Sequence, residues 1–307
     1  MKKNKLHTSS HDSRDDYPLP PFMDPTVDWA FKYIFSYEEV LRKLLNDLLP
    51  VDVGEIEYLP NEIPVRSEKD KRSVFDVICK DRRTREEFIV EMQSHSDSDM
   101  DDRIIFYGSA VIYNQIRRGN PTYRLKPVYV ICLTNYPREH TGAPEDKIFF
   151  RYTLREVETN EPNGNQLTIC RLELLRLRKQ AEKCEGTIEK WAYYLKNMPT
   201  FAKKPDDESF APFFAAADVS LLQEKDKQDY YLAMKNEYEM RVATEYSFRE
   251  GMEKGMEKGM EMGMEKGLEK GVAQGKAEMA KELLSRGIDP AIVSAASGIS
   301  AEDLKAL

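Results

Sequence analysis

The sequence predicts an α/β fold, a mixed β-sheet with helices on its faces, followed by a C-terminal helical extension. Three observations predict it. Short apolar runs bounded by turn residues alternate with segments of helical periodicity up to about residue 200. One run, residues 126–136 (KPVYVICLTNY), is continuously apolar, as a strand buried on both faces must be. From about residue 177 to 250 the pattern turns helical and charged.

The elements follow in order. Residues 1–20 are polar, charged and Pro-containing, and read as disordered. In the next stretch Phe31, Ile34, Phe35, Val40, Leu41, Leu44, Leu45 and Leu48 recur at helical spacing, giving two helices with a break near Ser36 and a stop at Pro50. Residues 54–65 alternate and read as a strand. Two apolar runs, 73–81 and 86–93, flank a charged loop and read as a β-hairpin. A helix spans about 100–118, with Asp101 or Asp102 near its start, and Gly119-Asn120-Pro121 ends it. Residues 165–177 form a further strand, and 188–198 and 225–251 form helices.

The composition then shifts. Gly251, Gly255, Gly259, Gly263, Gly267, Gly271 and Gly275 are spaced by four, with Met-Glu-Lys units between them. Each Gly costs a helix about 1 kcal/mol relative to Ala, but small residues at this spacing let helices approach closely. The tract reads as a partly helical tether, with a self-association segment as the sharper alternative. The last thirty residues look like a small helix-turn-helix. The expected organisation is therefore a disordered 1–20, a catalytic-type α/β domain over 21–200, a helical extension over 201–250, a Gly-rich tether over 251–275 and a small helical module over 276–307.

Composition excludes several classes. No apolar stretch is long enough to cross a membrane, and the charged start lacks the apolar run of a signal peptide, so the protein is expected in the cytoplasm. Cys79, Cys132, Cys170 and Cys184 are far apart, and His7, His11, His95 and His140 are scattered, so neither a zinc site nor a disulfide framework is expected. A net charge of −8 argues against a general nucleic-acid coat but not against an enzyme with a local positive groove.

The hairpin holds the candidate chemistry. A loop symmetric about its centre, between Arg83 and Thr84, places Asp76 opposite Glu91 on one face. Two facing carboxylates repel, so the arrangement makes sense around a cation. Gln93 shares that face, whereas Phe75, Val77, Val90 and Met92 point the other way, into the core. Mg²⁺ or Mn²⁺ would take oxygen from Asp76, Glu91 and the backbone carbonyl of Met92, leaving room for water and phosphate. Gln93 would orient the attacking water or bind phosphate, but it cannot act as a base. A one-residue slip would separate the two acids.

Here a resemblance enters. Asp, a strand turn and then Glu-x-Lys is the pattern of the PD-(D/E)XK nucleases, whose fold is the restriction-endonuclease-like mixed sheet. The chain resembles the branch of Rpn-family recombination-promoting nucleases, or PD-(D/E)XK family transposases. It does so in DWAFKYIF from Asp28, in SVFDVIC around Asp76, in IVEMQS around Glu91 with Gln93 in place of Lys, in the segment from Arg103 to Leu133, and in its Gly-rich tail. The resemblance implies a metal-dependent DNA endonuclease acting in recombination or transposition.

Lys32 could supply the missing cation, and Asp28, one helical turn earlier, could reach the metal or simply pair with Lys32. Arg103 and Tyr107 could hold phosphate over the site or flank the core. Arg82 and Arg83, with Lys80 and Arg85, crowd the hairpin loop as phosphate contacts or as a solvated tip. Arg117, Arg118, Arg124 and Lys126 form a second basic patch. DNA is the expected partner, with a homo-oligomer through the Gly repeat and C-terminal helices as a further one. Three alternatives stay open: a catalytically weak nuclease fold used for nucleic-acid binding or assembly, a defence or toxin nuclease, and an oligomerisation scaffold.

Overall fold

The computed structural model describes residues 19–63, 73–96, 98–116, 122–136, 138–164 and 166–305. The disorder read for the N-terminal segment and the basic pair Arg117 and Arg118 fall outside these, apart from residues 19 and 20. The chain forms two compact units, Met1–Glu237 and Tyr238–Leu307.

In the first unit the elements run α1 (Asp28–Ile34), α2 (Glu38–Leu48), β1 (Ile56–Tyr58), β2 (Glu62–Ile63), β3 (Ser73–Val74), β4 (Val77–Asp81), β5 (Glu87–Gln93), α3 (Met100–Gln115), β6 (Val128–Thr134), β7 (Phe149–Thr153), β8 (Leu167–Glu173), α4 (Thr187–Asn197), α5 (Ala211–Ala217) and the start of α6 (Glu224–Ser285). Six strands form a mixed sheet in the order β1-β4-β5-β6-β8-β7, and β2 pairs with β3 apart from it. β5, β6 and β8 are parallel to one another, and the outer pairings are antiparallel. β6 sits centrally and every residue in it is buried, which accounts for its unbroken apolar sequence.

Helices cover both faces. On one, α1, α2, α4, α5 and Tyr230 of α6 pack on Val77, Cys79, Phe88, Val90, Met92, Ile131 and Leu133. On the other, Met100, Ile104, Tyr107 and Val111 of α3 pack on Ile78, Ile89, Val128, Val130 and Cys132. The alternation of strand side chains divides the two sets. α3 lies close to the sheet at Gly108, where an added Cβ would come within 2.5 Å of Leu167 Cδ1 and 3.2 Å of Val130 Cγ2.

Several expectations change. Residues 54–63, the described part of the segment read as one strand, hold two short strands, β1 and β2, because the chain turns at Pro60. β7 and α5 had no sequence signal: β7 has five residues with Arg151 in the middle, and α5 has seven with Pro212 in its first turn. Phe75 joins the α3 side, edge-on to Tyr107 with ring centroids 4.9 Å apart, rather than the side of Val77 and Met92. The reason is local. The strand breaks between Val74 and Val77, so its alternation restarts there.

In the second unit α6 stays helical through the whole Gly tract. It ends in a Schellman turn: Gly287 has φ 83°, its amide donates to Leu284 O (3.0 Å), and the Ile288 amide donates to Leu283 O (3.2 Å). α7 (Pro290–Ser297) is capped by Asp289, and with α8 (Ala301–Lys305) it closes a small core of Ala280, Val293 and Leu304.

Candidate active site

The hairpin register is the one a symmetric loop predicts. Val77 pairs with Val90, Ile78 with Ile89, Cys79 with Phe88 and Lys80 with Glu87. Asp76 immediately precedes β4 and sits beside Glu91. Its amide donates to Glu91 Oε1 at 3.2 Å, while its own Oδ2 accepts from the Met92 amide at 2.9 Å. Each acid therefore accepts from the backbone at or next to the other, and the two carboxylates are locked together. Glu91 is 1% exposed and the Asp76 side chain 15%, so neither charge is well hydrated.

Electrostatics follow from that burial. Desolvation, and then the charge of Asp76, push the Glu91 carboxyl up to about 8. Desolvation also raises Asp76, and the Met92 amide and Lys32 offset part of the rise. Without a cation the pair therefore retains a proton at neutral pH. Lys32 reaches in from α1, with Nζ 3.5 Å from Asp76 Oδ1 and 2.6 Å from Asp28 Oδ1. Burial works against its charge, but the two aspartates outweigh it and hold its pKa above the usual value.

α1 is held in place from two sides. Ser94, just past β5, donates its hydroxyl to the Thr26 carbonyl, and Asp24 accepts from the Thr26 amide and hydroxyl at 2.9 and 2.7 Å. The Asp24 amide in turn donates to Tyr230 OH at 2.7 Å. On the opposite side, Arg103 of α3 exerts a favourable charge on Glu91, and its guanidinium donates to Tyr107 OH at 3.1 Å.

The structure thus gathers Asp28, Lys32, Asp76, Glu91, Met92 and Arg103, with Tyr107 behind Arg103. Gln93 closes β5, where its carbonyl accepts from the Asn135 amide at 2.8 Å. Arg82 and Arg83 are not brought to this site. They lie beyond the other end of β4, about 20 Å along the strand at its usual rise per residue. There they face Glu55 at 3.7 Å and Asp52 at 3.5 Å. A phosphate bound at Asp76 is out of their reach, while Lys80, on β4 itself, pairs with Glu57 at 3.0 Å.

One cluster escaped the sequence reading. Asp101, in the first turn of α3, accepts two hydrogen bonds from Arg138, both 2.8 Å, and another from the buried Arg171 of β8. It fixes the N-terminal end of α3, two residues before Arg103. The signal was available: a charged residue inside the apolar run of β8 has to be paired when buried.

A family model described as PD-(D/E)XK nuclease family transposase matches residues 25–247. The chain belongs to this family. No curated protein and no solved structure matches it. The matched segment contains the whole sheet and all the residues gathered at Asp76 and Glu91, and the mixed sheet flanked by helices is the α/β architecture expected of such a nuclease.

Members of this nuclease class generally use a divalent cation, and the donor set here fits one. Asp76 and Glu91 supply hard oxygens whose burial raises both carboxyls and so favours a compensating cation, and Met92 follows Glu91 directly. Among the described residues no group of three or more His, Cys, Asp or Glu converges. Asp28 is engaged by Lys32 instead. A two-carboxylate site of this kind suits an ion that keeps water and takes phosphate, as Mg²⁺ does.

Proposed function

We propose that this family member is a metal-dependent DNA endonuclease, acting in recombination or transposition. The observation that carries the reading is the buried, backbone-locked pair Asp76 and Glu91 with Lys32 beside it. Asp76, Glu91 and the Met92 carbonyl would hold Mg²⁺ or Mn²⁺, with Asp28 at the edge of the site. When bound, the ion would polarise the phosphate and lower the pKa of a water.

The reaction forms a P–O bond from a water oxygen and breaks one P–O ester bond; the water releases a proton to solvent and the departing oxygen takes one from solvent. Gln93 would orient the water. Lys32 would supply the positive charge that the family's Lys gives two residues after the Glu, and it would neutralise charge on the transferring phosphate. Arg103, steadied by Tyr107, would hold a phosphate oxygen from the α3 side.

The 21–200, 201–250, 251–275 and 276–307 divisions are proposed as nuclease domain, helical extension, tether and terminal module. The last two are also proposed as the surfaces of a homo-oligomer. Among the described residues no helix is long and apolar enough to cross a membrane; a cytoplasmic location is part of the same proposal.

Plasmid nicking with Mg²⁺ or Mn²⁺ tests the reading. Cleavage by the wild-type chain, lost by a factor of about a thousand or more in Asp76→Ala and in Glu91→Ala, supports it. A folded wild-type chain that leaves double-stranded DNA, single-stranded DNA and RNA intact would instead favour a binding module, the outcome that Gln93 in place of Lys makes the natural second reading.

A further inference from the structure

Beside the carboxylate pair lies a cavity of about 160 Å³ whose lining includes Asp76 and Lys32 themselves. Its other walls come from the end of α1, the β1–β2 turn and β4: Phe35, Ser36, Tyr58, Leu59, Asn61, Val77 and Ile78. Phe35 is fully buried, and Ile78 is nearly so. Hydrogen bonds fix the walls to one another. Tyr58 OH donates to the Phe35 carbonyl at 2.8 Å, the Leu59 amide to the Ile78 carbonyl at 2.9 Å, and the Phe75 amide to the Asn61 carbonyl at 2.7 Å. The cavity is therefore part of the folded frame.

Apart from Asp76 and Lys32 the lining is mostly aromatic and aliphatic, with the Ser36 hydroxyl and one side-chain amide, Asn61, that offers both donors and an acceptor. That chemistry suits a nucleobase, which has apolar faces and a mixed hydrogen-bonding edge. It does not suit a second phosphate, because its one cation, Lys32, is assigned by the nuclease reading to the phosphate at Asp76 and Glu91, and Asp76 itself lines the wall. The volume lies below the roughly 300 Å³ at which pockets begin to enclose a whole drug-sized ligand, so the cavity takes a fragment of a larger molecule.

We propose that the cavity receives one unpaired base, a single-ring pyrimidine, of a nucleic-acid strand whose neighbouring phosphate lies at Asp76 and Glu91. This rests on the nuclease reading for its phosphate and adds the substrate class. A base inside a duplex stack cannot enter, so the preferred substrate is a single strand or a helix locally opened at the cut. Stacking on the half-exposed Tyr58 contributes affinity, Phe35 backs the floor from the core, and Asn61 reads the base edge.

The test is binding of a short oligothymidylate, read by fluorescence anisotropy with Ca²⁺ in place of Mg²⁺. It is compared with an abasic strand of the same length, with oligoadenylate and with a duplex. The wild-type chain is expected to bind the thymidylate about tenfold more tightly than the abasic strand, and more tightly than the adenylate or the duplex. Asn61→Trp, which fills the cavity from an exposed turn, should erase the difference while leaving abasic affinity unchanged. Asn61→Ala should narrow it, and circular dichroism should show both variants folded. Equal wild-type affinities for thymidylate and abasic strands, or a preference that survives Asn61→Trp, would overturn the proposal. Tighter binding of adenylate would do the same. Base-dependent binding without cleavage of any substrate would remove the nuclease reading and leave the base pocket standing. Equal cleavage of abasic and intact strands would remove the pocket and leave the nuclease.

Discussion

β6 and the Gly tract of α6 are both regular structure, yet they are built on opposite terms. Every residue of β6 is buried between helices of both faces. Its apolar side chains hold it in place, and the register of its neighbours brings Glu91 level with Cys132. The tract from Gly251 to Gly275 is exposed throughout, with Met252, Met256, Met260, Met264 and Leu268 turned to solvent. A Cβ added at any of its glycines would meet nothing within 4 Å. Tertiary packing therefore decides the strand, whereas only backbone hydrogen bonds and side-chain pairs such as Lys254–Glu250 (2.6 Å) support the helix. A site that must hold two like charges together belongs in the first kind of region.

The largest effect should come from hollowing β6. Ile131→Ala removes a fully buried side chain from the larger core. It should cost about 2–5 kcal/mol in urea unfolding, and a loss under about 1 kcal/mol would mean that β6 is not the packed centre described.

The next effect is electrostatic and has a definite sign. The Glu91 carboxyl is raised by burial and by Asp76 to about 8 in the folded chain, against an ordinary 4.5. The folded state therefore holds a proton that the unfolded state has released. In the absence of metal this group's contribution is most favourable below about pH 4.5, falls as pH rises, and reaches its full penalty above about pH 8. Glu91→Gln should flatten that fall and raise metal-free stability above pH 8, by a few kcal/mol in order of magnitude. It should also abolish any stabilisation by added Mg²⁺. Thermal melts across pH, with and without Mg²⁺, check both, and a variant less stable than wild type at high pH would refute the buried-charge account.

The smallest effect sharpens the contrast from the other side. Gly259→Ala places a methyl group in open space on a helix, so it should increase helicity and stabilise the second unit by up to about 1 kcal/mol. Circular dichroism of the full chain, followed through melting, reads this. A loss of helicity would show that the glycine face is covered in solution.

The sequence alone determined much of this molecule. The helices α1, α2, α3 and α4, the strands β6 and β8, the helix break near Ser36 and the hairpin followed from periodicity and turn residues, because burial imposes those periods. The facing of Asp76 and Glu91 followed from loop symmetry, because a hairpin closes about its own centre. Tertiary structure alone decided the rest. The strand order that puts β8 between β6 and β7 joins segments distant in the chain, and no local pattern encodes it. The break at Phe75, the pairing of Asp101 with Arg138 and Arg171, and the cavity beside Lys32 arise where three or more elements meet. Only the fold could show that Arg82 and Arg83, six and seven residues from Asp76 in sequence, stand at the far end of a strand: an extended chain advances about 3.3 Å per residue, so nearness in sequence along a strand becomes distance in space.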